Sequence, residues 1–476
     1  MAPHSTSPPP QTTSASAPPH IEPSFPLSNS SLSYWHRTTR AFKYLNANST
    51  VSVPSSSPIV IIGSGLSGAL TAFSLITTHS VTASDILILE AREAVSGASG
   101  RNAGHVRPDA FRGFTGYASL HGSEQALKII ANEKLVFERV DAFVKEHGVQ
   151  CDFHPTTTFD VCLTEEFAKY EKEAYDAFVQ AGGDVGHVKF WQGEEARRRT
   201  RVEGTVAAYE WPAGSSHPAK LCQWLLKTVV EQGAKLWTHC PALELKDTAG
   251  RKWAVSTPRG VVTADKVVHC TNGYSAALLP QLKSFVTPNK AQAHALVPQH
   301  GYTGDQVLES TMSLRYSMHH FYSLIQRQGD GTLVLGVSRA NPELSQSTKA
   351  QVVSFDDGSF NSEVADDALR RFKIIFPQTE SEKQRHGEGL DHAWTGVIGM
   401  TPDSVPLVGP IDELPGQYIC AGFNGHGMAR IWTCAPGLAR LMQGGQWEET
   451  GLPECFQYTA ERLSRTAQKR QKPSVW

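Results

Sequence analysis

The sequence lacks any uninterrupted apolar run approaching the ~18 residues that a membrane-crossing helix requires. Its most hydrophobic stretch, Pro58 to Ile76, is broken by Gly63, Ser64, Gly65, Ser67 and Gly68, so no transmembrane helix is expected. It also lacks a charge surplus. Lys and Arg number 44 against 46 Asp and Glu, a formal net charge of −2, which provides no electrostatic footprint for nucleic acid. The eight cysteines (Cys151, Cys162, Cys222, Cys240, Cys270, Cys420, Cys434, Cys455) are scattered, with no Cys-x-x-Cys. With no secretory apolar segment opening the chain, that scatter fits reduced, buried thiols in an intracellular protein. No Cys/His spacing suits a metal: His319 and His320 are adjacent, not a helical turn apart.

At 476 residues the chain has length for about two to three domains. The first 33 residues contain 8 Pro, 9 Ser and 3 Thr, residues that resist helix and offer no core, so a disordered tail is expected over 1–33. No Lys or Arg precedes Arg37, whereas a mitochondrial presequence is Arg-rich. The terminal Pro473-Ser474-Val475-Trp476 is not a peroxisomal Ser-Lys-Leu. A cytoplasmic location is the resulting expectation. No repeat of 20 to 50 residues is found.

After the tail, Pro58 to Ile62 is a short β-branched strand, Leu66 to Leu75 has helical composition, and Ile86 to Leu89 is a second strand, giving a βαβ unit. Helical periodicity marks Glu124 to His147, Phe167 to Gln180 and Lys220 to Glu231. Strands are expected at Val261 to Val268, Tyr322 to Gln326, Thr332 to Gly336 and Gln417 to Ala421, with a helix from about Met428 to Met442. This alternation suggests an α/β nucleotide-binding domain interrupted by a second, strand-built domain.

The strongest local signal is Gly63-Ser64-Gly65-Leu66-Ser67-Gly68, where the first strand must turn into the first helix. Gly63 makes the tight turn, Gly65 admits a pyrophosphate to the backbone, and Gly68 lets helix and strand pack closely. The helix N-terminus offers N–H groups and a positive dipole end to phosphate. The second strand ends at Glu90, 22 residues beyond Gly68, where a carboxylate accepts hydrogen bonds from a ribose and repels a 2′-phosphate. Ala91 and Arg92 follow it. A second small-residue loop, Gly97 to His105, adds Ser99, Gly100, Arg101, Asn102, Gly104 and His105 as cofactor contacts. An NAD domain has no need of this loop, but the longer FAD has, and Arg101 could serve a phosphate. Val267 to Gly273 is an apolar strand ending in Thr271, Asn272 and Gly273. Gly422, Phe423, Asn424, Gly425, His426, Gly427 and Met428 form a fourth segment, another strand meeting a helix start whose positive end suits the N1/O2 edge of a flavin.

These four segments in this order resemble the D-amino-acid-oxidase-type family of FAD-dependent oxidoreductases, which includes glycine oxidase, sarcosine oxidase, D-amino-acid dehydrogenase and γ-glutamylputrescine oxidase. The resemblance spans roughly Tyr34 to Met442. It includes Tyr34-Trp35, the Gly-Arg-Asn-x-Gly-His run and Trp394-Thr395-Gly396-Val397-Ile398-Gly399-Met400-Thr401-Pro402-Asp403. It implies an α/β fold: a glutathione-reductase-like FAD-binding Rossmann domain with an inserted mixed-sheet substrate domain. The expected boundaries are 34–115, 216–287 and 386–445 for the discontinuous FAD domain, 116–215 and 288–385 for the substrate domain, and 446–476 for a C-terminal extension. The implied reaction takes a hydride from the carbon beside an amine to flavin N5, and the flavin carries the chemistry. For Asp403 the expectation is a structural hydrogen-bonding role.

Three departures from the family pattern narrow the expectation. The arginine that clamps a substrate carboxylate in the amino-acid oxidases falls at Ile398. Unless Arg315, Arg339 or Arg107 replaces it, the substrate is an amine without a clamped α-carboxylate, as in the γ-glutamylputrescine branch. The cysteine that joins flavin covalently in sarcosine oxidase, seven residues before Asp403, is here Gly396, so noncovalent FAD is expected. The lysine that sarcosine-oxidase-like enzymes place over N5 has no counterpart between Tyr322 and Gly336. Glycine-oxidase-like members lack it too and still use O2, so O2 is the expected acceptor. His426, Tyr322 and Trp394 are the catalytic candidates, with His105, Arg107, Tyr316, His319 and His320 as further substrate contacts and Tyr274 a weaker one. Competing readings are a flavin hydroxylase, a tailoring enzyme acting on an amine or imine intermediate in secondary-metabolite biosynthesis, a D-amino-acid-type dehydrogenase and a non-catalytic FAD-binding scaffold.

Overall fold

The computed structural model describes residues 21–248, 250, 252–337, 341–377 and 385–468. The first 20 residues of the expected tail, Arg339 and Pro473 to Trp476 lie outside the described residues. Ile59–Ile62 and Ile86–Leu89 are buried at every position, because both faces of their sheet are covered: Ile59, Ile61, Ile86 and Ile88 pack under helices, and Val60, Ile62, Leu87 and Leu89 pack against Trp253, Val255 and Val262 of a small antiparallel sheet. The two strands occupy the middle of a six-stranded sheet. Its order is Leu407–Pro410, Gln417–Ala421, Lys266–His269, Ile59–Ile62, Ile86–Leu89 and Lys235–Trp237. All pairs are parallel except the first. Helix Leu66–Thr77 packs against both Pro218–Glu231 and Ile431–Met442, so one layer is assembled from three distant stretches of chain.

The second layer is a mixed nine-stranded sheet. Its order is Gly389–Met400, Thr287–Val297, Leu333–Val337, Phe321–Gln326, Thr311–Arg315, His154–Cys162, Ala207–Ser215 and His105–Val106, with Lys189–Gln192 also paired to Ala207–Ser215. A three-stranded antiparallel sheet, Glu244–Thr248, Lys252–Thr257 and Gly260–Ala264, completes the α/β architecture. The strand expected over Val261 to Val268 is therefore two strands, broken at Asp265, that belong to different sheets.

Other expected boundaries also shift. Gly389–Met400 pairs antiparallel with Thr287–Val297, from Met400 opposite Thr287 to Gly389 opposite Val297. The stretch expected to open the third piece of the FAD domain, from residue 386, thus runs as a strand of the nine-stranded sheet as far as Met400. Residues 21–33, expected as the end of a disordered tail, lie against the folded chain: Ser33 is fully buried, and the Ser31 N–H donates to the Asp357 carbonyl at 2.7 Å. Their serine hydroxyls find partners that composition does not reveal. The C-terminal extension is likewise tied in, because Arg462 grips Asp403 through Nε at 2.7 Å and Nη2 at 3.0 Å. No described helix is long and apolar enough to cross a membrane.

Candidate active site

The first strand turns at Gly63, whose φ is +111° and whose Cβ, if it had one, would lie 2.6 Å from the Cys270 carbonyl oxygen. Only glycine tolerates both conditions. A Cβ on Gly68 would lie 2.0 Å from the Gly63 carbonyl oxygen, so the helix can seat on the turn only without a side chain there. Gly65 begins Leu66–Thr77 with no side-chain cap, and the Ser99 hydroxyl accepts the Leu66 N–H at 2.8 Å. Behind the turn, the Ser64 hydroxyl donates to Glu90 at 2.6 Å and accepts the Val95 N–H at 2.9 Å. This fixes the Glu90 carboxylate at the cavity wall.

One cavity of about 390 Å³ runs along all four small-residue segments and under the inner face of the nine-stranded sheet. Asn272 joins two of them: at φ +46°, its side-chain oxygen accepts the N–H groups of Gly422 and Phe423. Asn424, at φ +55°, accepts the Thr401 N–H at 2.7 Å and donates to the Gly422 carbonyl at 2.7 Å. Arg92 and Arg101 border the cavity but are committed to the protein. Arg92 pairs with Asp357 at 2.9 Å, and Arg101 donates to the carbonyls of Ser96 at 2.6 Å and Thr395 at 2.9 Å. Arg101 therefore props the loop and is not an open phosphate ligand.

At the other end, Ile398 and His426 face the same space. His426 Nδ1 lies 3.4 Å from the fully buried Glu133 carboxylate, to which Arg430 Nε donates at 2.9 Å. Burial pushes the His426 imidazole below its ordinary value, outweighing the pull of Glu133. Burial alone would raise Glu133, but His426 and Arg430 hold it down at about 2. The arrangement is a neutral imidazole beside an ionised carboxylate. Arg107, Arg112 and Arg315 also line the cavity and converge on Asp160 at 2.8, 2.5 and 3.0 Å. The neighbouring Glu171 carboxyl is pushed well above the carboxylate range by burial and then by Asp160, which favours its neutral form beside this positive charge.

Most of the cofactor residues expected from sequence border this cavity, whereas Ser64, Gly68, Gly100, Gly104 and Gly422 stand behind it as support. Two of the catalytic candidates, Tyr322 and Trp394, do not line the cavity. Phe321 and Ser323 face the cavity, so Tyr322, one residue out of phase in a strand, points away, and its hydroxyl donates to Asp367 at 2.5 Å. Tyr316 and His320 stack on that same far side, their rings 4.9 Å apart, and His319 does not border the cavity either. Trp394 is fully buried beneath the second loop, its indole N–H donating to the Arg101 carbonyl at 2.8 Å. Of the further contacts, His105, Arg107 and Tyr274 do line the cavity. Glu133, Arg112, Asp160, Glu171 and Arg430 were not read from sequence, since their partners lie tens to hundreds of residues away.

A parallel-sheet nucleotide domain whose glycine turn opens into a cavity roofed by a mixed sheet defines the class: a dinucleotide-dependent oxidoreductase built from discontinuous pieces. Residues 58–442 match the FAD dependent oxidoreductase (DAO) family, and the chain belongs to that family. It is 22% identical over 380 residues to the Haemophilus influenzae protein described as Probable oxidoreductase OrdL, covering 78% of this chain and 79% of that one. It is 23% identical over 396 residues to the gamma-glutamylputrescine oxidoreductase of Escherichia coli, covering 81% and 83%. Among solved structures, L-proline dehydrogenase from P. horikoshii superposes with a TM-score of 0.66 at 21% identity, over 85% of this chain and 97% of that one. Glycine oxidase from Geobacillus kaustophilus gives 0.65 at 18%, over 83% and 96%. The residues present fit FAD: a glycine turn that any Cβ would fill, a helix whose N-cap Gly65 brings no side chain of its own, and a buried acid closing the second strand.

Proposed function

We propose that the protein oxidises a carbon–nitrogen single bond of a small amine in the cytoplasm, with noncovalent FAD and with O2 as acceptor. The observation that supports this most is the continuity of one cavity from Gly63 to Ile398 and His426, which would bring the reactive end of the cofactor beside a substrate held under the mixed sheet. FAD, when bound, supplies the hydride acceptor.

The chain's own residues have the remaining tasks. Ile398, packed 3.7 Å from the Cβ position of Gly425, gives an apolar wall that excludes water. His426 has Nδ1 3.4 Å from Glu133; that carboxylate favours the tautomer with hydrogen on Nδ1, which presents Nε2 as an acceptor for the proton that a substrate ammonium must lose. Gly396 has no thiol to offer a flavin, and a side chain there would meet the Arg101 side chain at 3.1 Å, which favours noncovalent binding. No lysine lines the cavity among the described residues, the condition under which glycine-oxidase-like members still use O2.

A second reading is favoured by the three arginines on Asp160. They supply from other segments, a loop, a turn and the end of strand Thr311–Arg315, the charge that Ile398 does not provide, and guanidinium forks suit a carboxylate. On this reading the amine also carries a carboxylate, as do the substrates named for glycine oxidase and L-proline dehydrogenase. Anaerobic bleaching of the flavin band with paired amines and α-amino acids tests both. Bleaching by amines alone supports the Ile398 wall, bleaching by amino acids assigns the carboxylate to the arginines, and bleaching by neither overturns C–N oxidation.

A further inference from the structure

Residues 21–33 precede the span that matches the family, yet they reach the cofactor cavity. Phe25 and Pro26 line it together with Glu90 and Arg92. The segment has neither helix nor strand over residues 21–33 and is held by side chains along its length. Glu22 pairs with Lys283 at 2.7 Å, shortly after the cavity-lining Ala277 and Leu278. The Leu27 carbonyl accepts from Arg92 Nη1 at 3.3 Å. The Ser30 and Ser31 hydroxyls accept from Arg101 Nη2 and Nη1 at 2.7 and 3.2 Å, and the Ser31 N–H reaches the Asp357 carbonyl at 2.7 Å. Asp357 in turn pairs with Arg92. The segment therefore crosses from the Lys283 turn, past Arg92, to the loop that carries Arg101.

Two features of this crossing point to a bound dinucleotide. A chain without helix or strand, held by side chains along its length, places an aromatic and a proline side chain against a cavity wall, and such apolar surface gains from contact with a ligand and not with water. Besides Lys283, the pins are Arg92 and Arg101, the two cationic residues of the cofactor loops; the Asp357 carboxylate lies 2.9 Å from the first and 3.7 Å from the second, and Arg101 also donates to Ser30 and Thr395. Arg101 is thus held by the strap and by Thr395, and its backbone is set in place for the cofactor. We propose that residues 25–31 belong to the cofactor site, as a strap that closes over the dinucleotide between Glu90 and Arg101 and retains it. The proposal rests on FAD filling this cavity and is independent of which substrate is oxidised.

The test is flavin release from the full-chain holoenzyme, followed after dilution by the rise in free-FAD fluorescence without any substrate. The double variant Phe25→Ala/Pro26→Ala should release FAD roughly tenfold faster or more, since affinity changes fall mainly on dissociation, and Phe25→Leu should restore most of the retention. The melting temperature of the apoprotein should stay where it is in the wild type. Release within about twofold of wild type overturns the proposal, and so does an equal loss of melting temperature in the apo and holo forms, which would make the segment structural only. If the double variant does not fold, chymotrypsin cleavage after Leu27 of the wild-type chain decides. FAD should slow it strongly, and equal rates with and without FAD overturn the strap. Wild-type protein that binds no FAD would instead overturn the cofactor assignment.

Discussion

The side-chain oxygen of Asn272 accepts the backbone N–H of Gly422 at 3.1 Å, across 150 residues of sequence, and that of Phe423 at 3.2 Å. One amide side chain thereby ties the strand that ends at His269 to the turn that carries His426. Asn272 also occupies the left-handed region at φ +46°, where Asn costs less than other side chains. In Asn272→Ala two N–H donors lose their acceptor, a penalty of about 1–3 kcal/mol for each buried group. Urea unfolding of the holoprotein should show a lower midpoint, and FAD retention should weaken with it. An unchanged midpoint would mean that the turn holds without this bridge.

His426 is partly buried, and its surroundings hold its imidazole below its ordinary value, which leaves the ring able to accept a proton at neutral pH. The rate of anaerobic flavin bleaching should be flat at neutral pH and fall as the pH drops through that depressed value, where the ring becomes charged. His426→Gln should slow bleaching by roughly 10²- to 10⁴-fold and remove this acid limb. Retention of the limb in the variant would assign the titration to another group.

Arg315 shares Asp160 with Arg107 and Arg112, so its removal leaves the carboxylate paired. If a substrate carboxylate docks here, Arg315→Leu should raise KM for the carboxylated amine by roughly 10- to 100-fold, the loss of one charge-assisted interaction. KM for the matching amine without a carboxylate should not move. Equal effects on both would show that the arginines serve packing and not recognition.

Arg462 binds the Asp403 carboxylate through two nitrogens, with both side chains under a tenth exposed. Burial alone would raise Asp403, but Arg462 outweighs it and leaves the carboxyl below its ordinary value. The pair's contribution is therefore complete above the unfolded-state value and is lost as pH falls through the lower folded one. Arg462→Leu should cost about 3–5 kcal/mol at neutral pH by leaving a buried charge unpaired, and the difference from wild type should shrink in acid. Denaturant unfolding at both pH values measures this directly.

Much of the cofactor half was legible because its chemistry is local. A glycine turn, the helix after it and Glu90 lie within one βαβ unit, and the steric demands at Gly63 and Gly68 arise within it and from the next strand. The substrate half was less legible for a geometric reason. Along a strand, faces alternate, so Tyr322 and Ser323 could not be told apart without knowing which side the cavity occupies. Trp394 shows the same limit in depth: it belongs to the expected motif but lies under the loop instead of in the cavity.

Sequence by itself determined the order of the four cofactor segments, the small residues that admit a dinucleotide, and an apolar Ile398 next to Gly399, since each depends on residue type at a local spacing. Only tertiary structure decided that Arg107, Arg112 and Arg315 meet on Asp160, that Glu133 and Arg430 set the state of His426, and that Phe25 borders the cavity. Those contacts join residues tens to hundreds of positions apart, and ion pairs and burial act through distance in space, which a composition or a period along the chain does not encode.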